Sequence, residues 1–156
     1  MTPVMKKLLI VFHAPSDNTR ALMDAIKVGA ESESARVETL CLSPFDTQPS
    51  HVLAADAIIL GTPENLAYMS GALKDFFDRC YYPVLDHKQG LPVAALVRAG
   101  SDGTGTCNAL KTILTGLKWR WVQAPLVCRG EWQPDFVQQA HELGEAMATA
   151  LAEGMI

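Results

Sequence analysis

Residues Ala57–Tyr81 read AIILGTPENLAYMSGALKDFFDRCY, and three local patterns follow one another inside them. Ala57–Leu60 is a continuous apolar run, too short for a helix and apolar on both faces, as a strand covered by helices on both sides must be. Gly61, Thr62 and Pro63 are expected to break it. From Ser70 the apolar spacing becomes helical, with Leu73, Phe76, Phe77 and Cys80 at i, i+3, i+4 and i+7. The pattern predicts a helix over 70–80 with a buried aromatic stripe, Ser70 as its N-cap and Pro83 limiting its continuation. Loop 62–69 then lies at the carboxyl end of a central strand, where open α/β sheets bind ligands.

Upstream, Lys7–His13 contains Leu-Leu-Ile-Val-Phe, a second buried strand by the same argument. It gives way to Ala14-Pro15-Ser16-Asp17-Asn18-Thr19-Arg20 and a helix whose apolar positions Leu22, Met23, Ile26 and Ala30 share a face. Ser16, Asp17 and Asn18 are all good N-cap types. A strand, a short polar loop and a helix start together make an anion site, because unpaired N–H groups and the positive end of the helix dipole converge there. The hydroxyls of Ser16 and Thr19 and the Asn18 amide would complete a phosphate cradle. The plainer reading is that Asn18 and Thr19 simply cap the helix.

Arg36–Leu42 alternates, with Arg36, Glu38 and Leu40 on one side and Val37, Thr39 and Cys41 on the other, which suits an edge strand. Leu91–Arg98 is the next buried strand. It leads into Ala99-Gly100-Ser101-Asp102-Gly103-Thr104-Gly105-Thr106, the most glycine-rich segment, and a helix over 106–118 patterned on Leu110, Ile113, Leu114 and Leu117. A last strand lies around Val122 or over Leu126–Cys128, and Pro134–Glu153 closes as a helix with Phe136, Ala140, Leu143, Met147 and Leu151 inward. Five strands alternating with helices predict a three-layer, doubly wound, five-stranded parallel sheet of order 2-1-3-4-5 with right-handed crossovers. The loops after strands 1, 3 and 4 meet at its switch point.

The 156 residues, 49% apolar and 19% charged, suit one domain spanning 1–156. No run approaches the roughly 20 apolar residues of a membrane span, and no signal segment is recognisable, so a cytoplasmic protein is expected. Cys41, Cys80, Cys107 and Cys128 are scattered singly, against a zinc cage or a disulfide framework. A net charge of −4 without a Lys/Arg cluster disfavours nucleic acid. There is no G-x-x-x-x-G-K-[ST], no acidic cluster after strand 1 as a receiver domain needs, and no Cys-x5-Arg phosphatase signature.

The chain resembles the flavodoxin-like flavoproteins, specifically the flavodoxin-family FMN reductases and quinone reductases. SDNTR at Ser16–Arg20 is similar to their phosphate-binding loop, with Asp17 where glycine is usual. GTPENLAYMSGALKDFFDR at Gly61–Arg79 is similar to their second flavin-contacting loop and the helix after it. The third loop, Arg98–Gly105, matches in place and glycine content only. The resemblance implies FMN as cofactor, with Ser16, Asn18 and Thr19 on its phosphate. It also implies that Pro63, Glu64, Asn65 and Leu66 line the isoalloxazine edge, and that Met69 and Ser70 close the loop near ribityl or ring. Arg98, Gly100, Ser101, Asp102 and Gly103 would face the pyrimidine end. Two anions in contact repel, so the Asp17 carboxylate is expected to turn outward or cap the helix.

Each has a plainer role beside it. Arg98 could snorkel to solvent rather than stabilise a reduced flavin near N1. His13 reads as a structural histidine and Cys107 as a small buried apolar residue. The expected activity is oxidation of NAD(P)H through FMN, with a small-molecule quinone or flavin as acceptor. The alternative is an electron-carrier flavodoxin, against which counts the lack of an aromatic residue in the third loop to cover the flavin. Homo-oligomers are expected on the resemblance alone.

Overall fold

A computed structural model describes residues 5–156; the expected domain range 1–156 includes residues 1–4, which lie outside the described residues. The strands are β1 (Lys6–Phe12), β2 (Val37–Leu42), β3 (Ala57–Asn65), β4 (Tyr68–Met69), β5 (Pro92–Ala99), β6 (Arg120–Trp121) and β7 (Leu126–Arg129). The helices are α1 (Asp17–Glu31), α2 (Pro49–Ala54), α3 (Gly71–Val84), α4 (Thr104–Leu117) and α5 (Asp135–Ala152), with a 3-10 turn at Pro44–Asp46. The sheet runs β2-β1-β3-β5-β6, with β7 also parallel to β5. This is the expected doubly wound order, its last strand split in two by the segment holding Pro125.

Alternation along the strands sends side chains into two cores. Leu9, Val11, Ile58, Leu60, Val93, Ala95 and Val97 meet α2, α3 and α4 on one face. Leu8, Ile10, Phe12, Ile59, Ala94 and Leu96 meet α1 and α5 on the other. Among the described residues β2 pairs only with β1, and it keeps Glu38 and Leu40 exposed, as an edge strand does. The chain thus forms a three-layer sandwich in which both faces of the central strands are dry.

One sequence expectation gives way here. Gly61, Thr62 and Pro63 do not break β3, which stays paired with β5 as far as Pro63↔Arg98 and then folds back on β4 through Asn65↔Tyr68. The Thr62 side chain sustains the detour: its Oγ1 accepts the Ser70 N–H at 2.9 Å across the hairpin. Ser70 caps α3 as expected, its hydroxyl accepting from Leu73 N–H. Pro83 lies inside α3 and the helix ends one residue later, as expected of a ring that removes an i→i−4 bond and crowds the preceding turn. Arg79 moors α3 to the chain after β2, donating to Thr47 O at 2.8 Å and Pro44 O at 2.6 Å while Asp75 holds its Nε at 2.7 Å.

Candidate functional site

The loops after β1, β3 and β5 converge at the carboxyl end of the sheet, the first set by its own cap and the other two held by contacts from distant parts of the chain. In the first, Ser16 is the N-cap of α1 and Thr19 its N3 residue, closed into a capping box. Ser16 Oγ accepts Thr19 N–H at 3.2 Å, Thr19 Oγ1 accepts Ser16 N–H at 3.0 Å, and the two hydroxyls lie 2.8 Å apart. The first intrahelical bond is Arg20 N–H to Ser16 O at 2.9 Å. The N–H groups of Asp17 and Asn18 precede it and face the helix start. Asp17 turns outward, 96% exposed, and its carboxylate is held by Arg20. The cradle is therefore lined by neutral donors and the dipole, with its one carboxylate directed away. A phosphate monoester such as that of FMN fits this donor set.

The second loop is a tight hairpin. Leu66 and Ala67, at φ +52° and +61°, occupy the left-handed region at its two central positions, where glycine or asparagine is usual. Each costs about 1–2 kcal/mol, and the turn is held from outside. The Ala67 carbonyl packs against the first turn of α4, where a Cβ on Gly105 would lie 2.1 Å from the Ala67 oxygen. Only glycine at 105 lets the hairpin come this close. Leu66 projects fully into solvent, and Met69 and Ser70 are buried beneath.

The third loop is tied at both sides. Ser101 N–H donates to Glu64 Oε1 at 3.3 Å, joining it to the second loop. Asp102 Oδ1 accepts Thr104 N–H at 3.0 Å, Gly103 is the left-handed N-cap of α4, and Arg129 clamps the Asp102 carbonyl through Nε and Nη2 at 2.9 and 2.6 Å. Ser16, Asn18 and Thr19 thus stand in the first loop, Pro63, Glu64, Asn65, Leu66, Met69 and Ser70 in the second, and Gly100, Ser101, Asp102 and Gly103 in the third.

Arg98 is not brought into this cluster. Its Nη1 donates to Ala99 O and Cys128 O at 2.9 and 3.0 Å, and its guanidinium lies over the rings of Trp132 and Phe136, beside β7 and α5. Nor does Arg98 snorkel to solvent, the plainer expectation: carbonyls and rings hold its guanidinium part-buried at the strand end. Arg129 is a neighbour of the third loop that the sequence does not reveal, since its contact with Asp102 bridges 27 residues.

His13 sits where β1 enters the first loop. Its N–H donates to Gly61 O at 3.0 Å, its Nδ1 is buried without a partner among the described residues, and burial lowers the imidazole below 6.5. Burial raises the thiols of Cys41, Cys80 and Cys107, and pushes Cys128 up to about 11. Cys107 is therefore a protonated, partly buried thiol, with Lys111 and Arg129 only partly offsetting its desolvation.

The sequence profile of the NADPH-dependent FMN reductases matches residues 50–133, more than half of the chain and the whole of the second and third loops. The chain belongs to that family. It is a flavodoxin-like, FMN-binding family, and flavodoxins recur among the relatives. A flavodoxin of Aquifex aeolicus (strain VF5) is 28% identical over 113 residues, 72% of this chain and 60% of that protein, so the likeness spans less than two thirds of the relative. A solved flavodoxin from the domain Archaea superposes with a TM-score of 0.78 at 21% identity, covering 93% of this chain and 98% of its own. A WrbA-like flavodoxin from Agrobacterium tumefaciens gives 0.74 at 18% identity, covering 97% and 99%. At these identities the solved structures establish the flavodoxin-like fold. No described helix of this family member is long and apolar enough to cross a membrane.

Proposed function

We propose that this chain is an FMN-dependent oxidoreductase that accepts reducing equivalents from NAD(P)H and passes them to a small acceptor such as a quinone or free flavin. Bound FMN supplies the redox chemistry, taking hydride from a nicotinamide and releasing electrons to the acceptor. The protein's part is to bind, orient and leave one face open. In this reading Ser16, Asn18, Thr19 and the N–H groups of Asp17 and Asn18 hold the phosphate. Pro63, Glu64, Asn65 and Leu66 border the ring edge, Met69 and Ser70 support the loop from below, and Gly100–Gly103 offer backbone donors to the pyrimidine end. The Glu64–Ser101 bond and the Arg129 clamp fix the width between the second and third loops.

The observation that carries the enzyme reading is the composition of those two loops. Tyr68, partly exposed at 38%, is their one aromatic residue, and it lies beyond the hairpin turn. Nothing bulky in Gly100–Gly103 stands where a nicotinamide would stack. Hydride transfer needs the reacting atoms about 3–3.5 Å apart, which an aromatic lid would prevent. Ser101→Trp tests this: NAD(P)H oxidation should fall at least about tenfold while FMN affinity changes less. Equal loss of both would mean that the substitution merely disturbs the loop. The flavodoxin relative favours a second reading, an electron carrier without turnover of its own, which predicts flavin binding but no reduction by nicotinamide.

A further inference from the structure

We infer that Arg129 is a positioning residue of the flavin site: by clamping the Asp102 carbonyl it holds the adjoining Gly103 N–H unpaired and polarised for the negative charge that reduction puts on the ring. The inference rests on the FMN reading and adds to it a residue that sets the potential of the flavin. The turns into α1 and α4 carry similar sequences, Ser16-Asp17-Asn18-Thr19 and Gly103-Thr104-Gly105-Thr106, each with threonine three residues after the N-cap. At α1 the N-cap is extended, with φ −130° and ψ 165°, and its N–H is taken up by the Thr19 hydroxyl. At α4 the N-cap is left-handed, with φ +73° and ψ 1°, and the corresponding bond is not made. The Gly103 N–H and the Thr106 hydroxyl are therefore both without a partner among the described residues, although both residues are buried and Thr106 is 0% exposed. The Thr106 side chain leans towards the helix start, as helical side chains do, and so stands on the Gly103 side. Buried polar groups are nearly always paired, so two orphans side by side in the third loop point to a ligand.

Arg129 keeps this turn open. Its Nε and Nη2 donate to Asp102 O at 2.9 and 2.6 Å, two prongs on one carbonyl from the end of β7. The Asp102–Gly103 peptide is trans, so fixing its C=O towards β7 points its N–H the opposite way. β3 and the second loop lie on that other side of β5. Extending Gly103 to close a capping box on Thr106 would turn the peptide out of the clamp. A cation on the carbonyl also draws charge through the peptide and strengthens its N–H as a donor. Reduction by hydride, with NAD(P)H released as NAD(P)+, adds one negative charge to the flavin, and that charge settles on the pyrimidine end, which the FMN reading sets against Gly100–Gly103. A donor held ready there stabilises the reduced form more than the oxidised one. Arg98, the cation that the sequence offers for this end, is held at Trp132 and Phe136 instead.

The test compares the wild type with Arg129→Gln and Arg129→Lys in two measurements: affinity for oxidised FMN by fluorescence titration, and the two-electron midpoint potential of the FMN-loaded protein by anaerobic equilibration with a reference dye. Arg129 is exposed, so its replacement leaves no hole in the core, and the melting temperatures of the flavin-free proteins should not change. Arg129→Gln should weaken reduced FMN about tenfold beyond any loss for oxidised FMN, read as a fall of about 30 mV in the midpoint. Arg129→Lys keeps the charge without the fork, and its midpoint should fall less. The inference is overturned if Arg129→Gln leaves the midpoint within about 10 mV of wild type, which is about twofold in relative affinity. That includes the case in which oxidised and reduced FMN weaken equally, the mark of a merely structural clamp. A larger fall in Arg129→Lys than in Arg129→Gln would overturn it as well. Failure of the wild type to bind FMN at all would overturn the FMN reading itself, a result distinct from variants that bind FMN at an unaltered potential.

Discussion

At the scale of single residues, burial and backbone conformation decide the effects. Phe76 is fully buried between α3 and the sheet, so Phe76→Ala should cost about 3–5 kcal/mol in chemical denaturation, the size of a large-to-small change in a packed core. A loss under about 1 kcal/mol would mean that the stripe faces a yielding surface. Gly105→Ala acts differently, because its methyl would collide with the Ala67 carbonyl rather than leave a hole. It should displace the hairpin and weaken FMN and riboflavin alike, which separates it from changes at the phosphate loop. His13 supplies a pH effect. Burial holds its folded pKa below 6.5, so the unfolded chain binds the proton first and stability falls as pH drops from 6.5 towards the folded value. His13→Gln should flatten that part of the profile in denaturant midpoints measured between pH 7.5 and 5.5; an unaltered slope would place its origin elsewhere.

At the scale of elements, the sequence was readable wherever a pattern is repeated and silent where one contact does the work. The apolar runs in β1, β3 and β5 and the 3.6-residue stripe of α3 announce the layers, because strands covered on both faces have no polar positions to spare. Gly61 and Pro63 look like breakers, yet β3 passes through them, since a strand can end its pairing at a proline when a side chain such as Thr62 supplies the next hydrogen bond. The hairpin at Leu66 and Ala67 carries no Asn-Gly signature because Gly105, 38 positions further on, and not the turn's own residues, allows it. Arg98 looked available to the site for a related reason: nothing local in sequence discloses that Trp132 and Phe136 receive it. The capping box has a double consequence. Ser16→Ala with Thr19→Ala should lower stability by about 1–2 kcal/mol as a lost cap does, and should weaken FMN selectively over riboflavin. If riboflavin binding fell in parallel once stability is accounted for, the loop would serve only to start α1.

At the scale of the whole molecule, the doubly wound order places three loops at one switch point, and what that point does depends on how open it is. The loops after β3 and β5 are joined to each other by Glu64 and Ser101 and backed by Arg129, while the first is closed by its own cap. In the proposed reading this arrangement holds a flavin by its phosphate and one ring edge and leaves a face free, which would separate an enzyme from a carrier in a shared fold. The most direct test is anaerobic single-turnover mixing of the FMN-loaded protein with NADPH and, separately, with NADH, following the flavin absorbance. Our account predicts that at least one nicotinamide bleaches the bound flavin without any partner protein, and that a soluble quinone then restores the oxidised spectrum. If neither reduces it while a separate reductase protein does, the chain is a carrier and the oxidoreductase account is contradicted.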